Sequence, residues 1–311
     1  MSTPSTHSRE AATRDKYIPP HRNGAALCLS GGGYRAALFH LGVCRRLNEL
    51  GVIPSLDAIS AVSGGSIFAA HLARRMVESD GNCLANYEER VAVPFQTFVQ
   101  HDIRTLPALT RLLPWNWSNA GAGAERLAGQ YEEYLLGTMT LSQLPSRPNF
   151  IFCATDLTFG VSWVFSKPHV GDYLAGYMAA ASVAVQPLVR AVAASSCFPP
   201  VFRPLPMNLQ PSDLTGGDAK TDDRDDDVRS LVLTDGGVYD NMGLEPVWKT
   251  CKTLYVSDGG KPFQFAAQRD REGVQLLGSI EGDRPYAIGD NALHERHMFR
   301  PPPTSMTAPV T

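Results

Sequence analysis

The sequence predicts an α/β protein, a three-layer α/β/α sandwich with a mainly parallel central sheet. Within Ala25–Met76, two short apolar runs alternate with two longer segments of helical period, and each apolar run ends at a glycine-rich turn. Strands joined through a helix lie parallel, with a right-handed crossover. Both turns then fall at the carboxyl ends of parallel strands, where open α/β sheets place their chemistry.

The first two strands and helices follow from local patterns. A strand is predicted at Ala25–Leu29, followed by a helix from Tyr34 to about Leu50 that Gly51 ends as a cap. The second strand is predicted at Ala58–Val62, with a helix continuing to Met76. The apolar face of the first helix recurs with the 3.6-residue period at Phe39, Val43, Leu47 and Leu50.

The two turns carry complementary chemistry. Gly31–Gly33 leave the backbone without Cβ atoms, so that N–H groups at a helix N-terminus can converge on a negative charge. Ala61–Gly65 resembles a nucleophile elbow around Ser63, with Ala61 in place of the first glycine of G-x-S-x-G. An anion-binding loop beside a serine elbow favours acyl transfer, in which the serine attacks and the loop stabilises the oxyanion.

These residues resemble the patatin-like phospholipases, lipid acyl hydrolases with a Ser–Asp dyad. The family pattern is a glycine loop with an arginine, here Gly31–Gly33 with Arg35, then the serine elbow, then a distant Asp-Gly-Gly, here Asp235–Gly237. Ser30 stands where many members have aspartate, and Ala36 where many have glycine. The resemblance covers about residues 25–263, which we expect to form the hydrolase domain.

The resemblance implies a role for each matched residue. Ser63 would be the nucleophile and Asp235 its base, with no histidine between them and no cofactor or metal. The expected substrate is a lipid or a membrane surface, in a phospholipase A, lysophospholipase or esterase reaction. The expected oxyanion hole consists of Gly31, Gly32 and Gly33. The expected supporting residues are Arg35, Gly65, Gly236 and Gly237.

Two other aspartates follow predicted strands. Asp258 begins a second Asp-Gly-Gly, but only Asp235 continues into Val238-Tyr239-Asp240-Asn241, as the family does. Asp258 is therefore interpreted as a turn residue. Asp156, after a strand at Asn149–Thr155, is interpreted in the same way.

Three alternative functions are open to test. A Ser–His–Asp triad needs a histidine after the acid, and only His294 and His297 follow Asp235, whereas His40 and His71 lie on predicted helices. Dinucleotide binding would use Gly31–Ala36 but wants an acidic residue at the end of the second strand, where Ser63 stands instead. A catalytically silent lipid-binding protein on the same fold is the third.

Residues 80–145 are predicted to form a helical insertion. Phe95–Trp117 is rich in large apolar residues and broken by prolines, so it could be a lid or acyl-chain wall near the site, or could pack the flank of the domain. Glu125–Leu136 is predicted as an amphipathic helix, and Ala191–Ser195 is predicted to be helical. Ser195 and Ser196 lack an elbow context and are interpreted as packing residues.

The remaining segments differ in composition. Residues 210–230 are acidic and nearly devoid of apolar residues, which predicts a disordered loop. Strands are predicted at Leu231–Thr234 and Leu254–Ser257. Residues 1–24 and 264–311 are polar or proline-rich and are expected to be disordered or loosely ordered tails.

Composition excludes several classes of protein. A net charge of −3 over 311 residues argues against a nucleic-acid partner, and the six scattered cysteines favour buried, reduced thiols. No apolar stretch approaches the roughly 18 residues that a membrane span requires. The expected location is cytoplasmic, with peripheral contact to membranes.

Overall fold

The structure, a computed structural model, describes residues 22–80, 82–101, 121–199, 201–219 and 224–260. The strands of these residues are β1 Ala25–Leu29, β2 Ala58–Val62, β3 Asn149–Asp156, β4 Val161–Ser166, β5 Val170–Asp172, β6 Gly176–Met178, β7 Leu205–Pro206, β8 Leu214–Thr215, β9 Val232–Asp235 and β10 Thr253–Ser257. The α-helices are α1 Gly33–Glu49, α2 Gly64–Glu78, α3 Val93–Phe98, α4 Ala122–Tyr131, α5 Ala180–Ala184, α6 Leu188–Ser196, α7 Arg224–Arg229 and α8 Glu245–Trp248.

The strands form one mixed sheet in the order β10-β1-β2-β3-β4-β5-β6-β8, and β9 pairs with both β3 and β7. The four strands from β10 to β3 are parallel, and the pairs beyond β3 are antiparallel. The predicted parallel pairing of β1 and β2 is confirmed. The carboxyl ends of β1, β2 and β10 therefore meet at one edge of the sheet.

Helices cover both faces of the parallel strands, which confirms the α/β class. Side chains alternate between the faces with the two-residue period of a strand. In β1, Leu27 and Leu29 pack in the larger core with α1, α2 and α6, whereas Ala26 and Cys28 pack in a smaller core with Val247 of α8. Because β1 and β2 are buried on both faces, their sequences are apolar runs rather than alternating ones.

The insertion packs into the main core where the structure describes it. Phe95 and Phe98 are fully buried, and Phe95 contacts Phe68 of α2 edge-to-face, with ring centroids 5.4 Å apart. The contacts of these two residues are those of flank packing, and the lid alternative stays a prediction. Residues 102–117 of the proposed lid lie outside the described residues. A π-helical turn, Glu132–Leu136, extends α4 along the predicted Glu125–Leu136 helix.

The acidic segment is more ordered than its composition predicts. Its described residues include a 3₁₀ turn at Pro211–Asp213, strand β8 and helix α7. Leu214 and Val228 are buried and anchor these elements to the core, which corrects the expectation of a disordered loop for them. Leu214 lies on a strand that pairs with β6, and Val228 packs in the larger core.

All six cysteines are free and buried, as predicted. In the part of the chain that the structure describes, no helix is both long and apolar enough to cross a bilayer. Of the predicted tails at residues 1–24 and 264–311, all but residues 22–24 lie outside the described residues.

Candidate active site: a serine and an aspartate where two strands meet

Ser63 lies in the sharp turn between β2 and α2. Its backbone has φ 50° and ψ −115°, a region that L-residues rarely adopt and that costs about 1–3 kcal/mol. Ser63 occupies the N-cap position of α2, yet its side chain makes no capping hydrogen bond. A capping serine normally commits its oxygen to the helix, so the geometry here is that of a nucleophile elbow.

The two glycines after the elbow allow it to pack directly on the glycine loop. A Cβ atom at Gly64 would collide with the carbonyl group of Gly33, and one at Gly65 would collide with the carbonyl oxygen of Leu29. The N–H of Gly65 also donates to the carbonyl oxygen of Ser30 at 3.2 Å. The elbow and the loop are therefore in backbone-to-backbone contact.

The glycine loop turns sharply into α1. Gly32 has φ 135° and Gly33 has φ 65°, both in the region that favours glycine. Gly33 is the first residue of the 17-residue helix α1, whose first N–H groups have no acceptor within the helix. Across the described ranges, the N–H groups of Gly32 and Gly33 donate to no backbone carbonyl. This end of α1 is suited to stabilise an anion.

Gly31 differs from the expectation that all three glycines line an oxyanion hole. Its N–H donates to the carbonyl oxygen of Asn241 at 3.0 Å, so that N–H is already committed. A Cβ atom at Gly31 would lie 3.3 Å from the Cβ of Ser63 and would collide with the Asn241 side-chain oxygen. Gly31 therefore provides room between the elbow and the turn that contains Asn241.

Strand β9 brings Asp235 to the elbow. β2 pairs with β3 as far as Val62, which lies opposite Cys153, and β9 pairs with β3 from Asp235, which lies opposite Ala154. β4 occupies the other edge of β3 over these residues, so β2 and β9 run towards each other along the same edge. Ser63 follows the end of β2, so this register brings the backbone of Ser63 next to the end of the strand that carries Asp235.

Several contacts fix Asp235. Its N–H donates to the carbonyl oxygen of Cys197 at 3.3 Å, and its carbonyl oxygen accepts from Thr155 Oγ1 at 2.8 Å. Its carboxylate Oδ1 accepts from the N–H of Gly237 at 2.8 Å. Only 2% of Asp235 is exposed. The backbone on both sides and one carboxylate oxygen are thus oriented by hydrogen bonds.

Of the expected supporting residues, Gly236 and Gly237 directly follow Asp235, and Arg35 follows the glycine loop. A Cβ atom at Gly236 would collide with the carbonyl oxygen of Cys153, so only glycine lets the turn pack on β3. A Cβ atom at Gly237 would lie 3.1 Å from Asp235 Oδ1. Arg35 is exposed on the first turn of α1, with its guanidinium beside Gly32.

The other two strand-end aspartates hold turns. Asp258 is exposed, and its Oδ1 accepts from the N–H of Gly260 at 2.8 Å. Asp156 is buried, and its Oδ1 accepts from the N–H groups of Thr158 and Phe159. Both contacts are typical of aspartate in a turn.

The described helical histidines are committed to structural contacts. His40 Nε2 donates to the carbonyl oxygen of Ser30 at 2.9 Å, so that Nδ1 accepts from Ser257 Oγ at 2.8 Å. His71 Nε2 donates to the carbonyl oxygen of Val91 at 2.9 Å. Burial lowers the pKa of both rings. His294 and His297, which the triad alternative needs, lie outside the described residues.

Two residues near the site were not assigned a role from the sequence. Asn241 carried a signal only as part of the family motif, and the structure places it between Gly31 and Gly237. Ser195 carried no signal beyond its small size. Its Oγ accepts a hydrogen bond from the N–H of Ser63 at 3.0 Å.

Among the described residues, no three histidine, cysteine, aspartate or glutamate side chains are arranged to hold an ion.

Comparisons with known proteins identify the fold and the family. Human GIVD cytosolic phospholipase A2 has a similar fold, with a TM-score of 0.50 and 14% identity over 74% of this chain and 44% of that one. Patatin-like phospholipase domain-containing proteins of Aspergillus niger and Neurospora crassa are 29% and 26% identical to it.

These matches cover 67% and 60% of the chain, which spans only 25% and 19% of those two relatives. The family model described as patatin-like phospholipase matches residues 27–248. That range contains the glycine loop, the elbow and Asp235. The chain belongs to the patatin-like phospholipase family.

Proposed function

We propose that this chain is a lipid acyl hydrolase that cleaves carboxylic esters with a Ser63–Asp235 dyad. The observation that carries the proposal is the meeting of β2 and β9 along one edge of β3. It sets a serine with a strained backbone and no capping bond beside a buried carboxylate, at the N-termini of two helices.

In the proposed reaction Ser63 Oγ attacks the ester carbonyl carbon while its proton passes to the Asp235 carboxylate. The carbonyl oxygen becomes an oxyanion, stabilised by the N–H groups of Gly32 and Gly33 and by the N–H of Gly64 at the start of α2. The C–O bond then breaks, and the leaving alcohol takes the proton from Asp235. Water repeats the sequence on the acyl-enzyme and releases the carboxylic acid.

The proposed substrate class is a lipid ester, processed as by a phospholipase A, a lysophospholipase or an esterase. Family membership supports a lipid substrate, and the backbone oxyanion donors fit any carboxylic ester. We propose a cytoplasmic protein that meets its substrate at membrane surfaces.

The test uses a fluorophosphonate probe and a short soluble ester. Wild-type protein should be labelled on Ser63, and Ser63→Ala should lose both labelling and turnover. Asp235→Asn keeps the shape but not the basicity and should lower kcat by about 10²–10⁴-fold. Asp258→Asn is the matched control, since it alters the other Asp-Gly-Gly turn, and should leave kcat unchanged.

Labelling that survives Ser63→Ala would overturn the serine assignment. Near-normal turnover in Asp235→Asn, with loss of turnover in a folded His294 or His297 variant, would establish the triad alternative. A folded wild-type protein that binds lipid vesicles but is neither labelled nor active would be the silent lipid-binding protein.

A further inference from the structure

The hydroxyl group of Ser195 is fully used by three neighbours. Its Oγ is 2.6 Å from the carbonyl oxygen of Cys153, which can only accept, so Ser195 donates its single proton there. The N–H of Ser63 donates to the same oxygen at 3.0 Å. Ser66 Oγ lies 2.8 Å away and must be the donor, because Ser195 has no second proton.

These bonds act on the backbone of the elbow rather than on its reactive oxygen. The N–H of Ser63 would otherwise be a buried, unsatisfied donor in a turn that is already strained. Cys153 is also the residue that Val62 faces across the β2–β3 pair. Ser195 therefore ties the elbow to the strand against which it is positioned.

The same end of α6 also holds the strand of Asp235. The carbonyl oxygen of Cys197, two residues after Ser195, accepts from the N–H of Asp235 at 3.3 Å and from Thr234 Oγ1 at 3.0 Å. Ser195 thus contacts the end of β2, and Cys197 contacts the end of β9. One short segment spans the two strand ends whose meeting forms the site.

We propose that Ser195 and Cys197 are positioning residues that set Ser63 against Asp235, with the Ser195 hydroxyl acting through the Ser63 backbone N–H and the Cys197 carbonyl oxygen through the Asp235 backbone N–H. The inference rests on the proposed dyad. It assigns no chemical step to Ser195, because all three of its bonds are made to other groups. Its loss should displace the nucleophile and lower the rate of bond formation, with little change in substrate affinity.

The test compares Ser195→Ala with Ser196→Ala. The two serines are adjacent and buried in α6, but Ser196 Oγ bonds to Tyr131 and to the carbonyl oxygen of Val192, away from the elbow. Both variants lose one buried hydroxyl and should melt at a lowered temperature, Ser195→Ala more so because it leaves the Ser63 N–H without its acceptor. Only Ser195→Ala should label slowly with fluorophosphonate and lose kcat, by about 10- to 100-fold, with KM within about threefold.

Ser195→Cys extends the test if Ser195→Ala does not fold. It fills nearly the same volume, but its sulfur is a weak acceptor for the Ser63 N–H, so slow labelling of folded protein is expected again. Equal labelling rates and kcat values in folded Ser195 and Ser196 variants would overturn the proposal. If the proposed dyad itself is wrong, the result differs: either the wild-type protein is not labelled, or Ser63→Ala is still labelled.

Discussion

Ser63 keeps its strained backbone because its neighbours fix both sides of the turn. Its own N–H is bonded to Ser195, and the next residue, Gly64, packs on the backbone of Gly33. The N–H of Gly65 is bonded to the carbonyl oxygen of Ser30. Such strain persists only where the surroundings over-determine the conformation, and here backbone contacts supply most of that restraint.

Gly64→Ala tests this packing. The added Cβ would meet backbone atoms of Gly33, which cannot move aside as a flexible side chain could. We expect a loss of about 2 kcal/mol or more in the free energy of unfolding, as for overpacked cores, together with a large loss of kcat. Urea unfolding and ester turnover measure the two effects.

Gly42→Ala is the matched control for that substitution. Gly42 lies within α1, and nothing is within 4 Å of where its Cβ would be. Because alanine favours helix over glycine, Gly42→Ala should raise the free energy of unfolding by about 0.5–1 kcal/mol and leave turnover unchanged. Equal effects of the two alanines would show that the loop does not pack against the elbow.

At the scale of secondary-structure elements, the sequence predicted the strands and turns that depend only on residues close together in the chain. β1 and β2 have the predicted bounds, and the glycine turns lie at their carboxyl ends, because apolar runs and glycines act over a few residues. The pairing of β9 with β3 was not predictable, since about 80 residues of chain separate the two strands and β9 has no alternation of apolar and polar residues. The strands from β4 to β6 were missed for a similar reason, their signal being short and partly polar.

Ser195 shows the same limit of sequence-based prediction, here for the hydrogen-bond partners of a single residue. Its neighbours in sequence are small and apolar, which is the pattern of a packed helix face, and that interpretation describes its burial correctly. What the pattern could not encode is the partner, because Ser63 and Cys153 come from two other elements. A buried hydroxyl must find hydrogen-bond partners, but only the fold determines which ones.

Phe95→Ala tests the assignment of the described insertion to the core. Phe95 is fully buried and packs against Phe68, His71 and Phe98 at ring distances of 5.1–5.8 Å. Truncation should lower the free energy of unfolding by about 3–5 kcal/mol, measured in urea. Activity per folded molecule should fall equally on a soluble ester and on lipid vesicles. A loss confined to vesicles, with unchanged stability, would favour the lid alternative for this residue.

At the scale of the whole molecule, two buried groups give stability opposite dependences on pH. Burial, together with the nearby Asp172 carboxyl, raises the pKa of Asp156 to about 7, although the N–H groups of Thr158 and Phe159 oppose the shift. Burial lowers the pKa of His71 to about 4, with Arg75 and Arg74 adding to the shift, whereas the bond to Val91 and the charge of Glu78 oppose it. Folding thus favours a neutral carboxyl at residue 156 and a neutral ring at residue 71.

The signs follow from proton linkage. Between about pH 4 and 7 the folded protein holds a proton on Asp156 that the unfolded chain releases, so this residue makes stability fall as pH rises. His71 is neutral in the folded protein and protonated in the unfolded chain between about pH 4 and 6.5, so it makes stability rise over that range. Between pH 5 and 7.5 each contribution changes by about 2 kcal/mol, in opposite directions.

Two substitutions should reveal how each group changes the free energy of unfolding with pH. Asp156→Asn keeps an oxygen for the N–H groups of Thr158 and Phe159 but cannot ionise, so its stability relative to wild type should rise from pH 5 to pH 7.5. His71→Gln can still donate to the carbonyl oxygen of Val91 but binds no proton, so its relative stability should fall over the same range.

Urea unfolding at both pH values measures the effect, and Asp258→Asn, at an exposed aspartate, should follow the wild-type profile. If both buried-site variants also followed that profile, neither group would exchange a proton on unfolding in this range. Opposite changes of about 2 kcal/mol in the two variants would mean that the wild-type pH profile contains opposing contributions from the sheet end at Asp156 and the helix layer at His71.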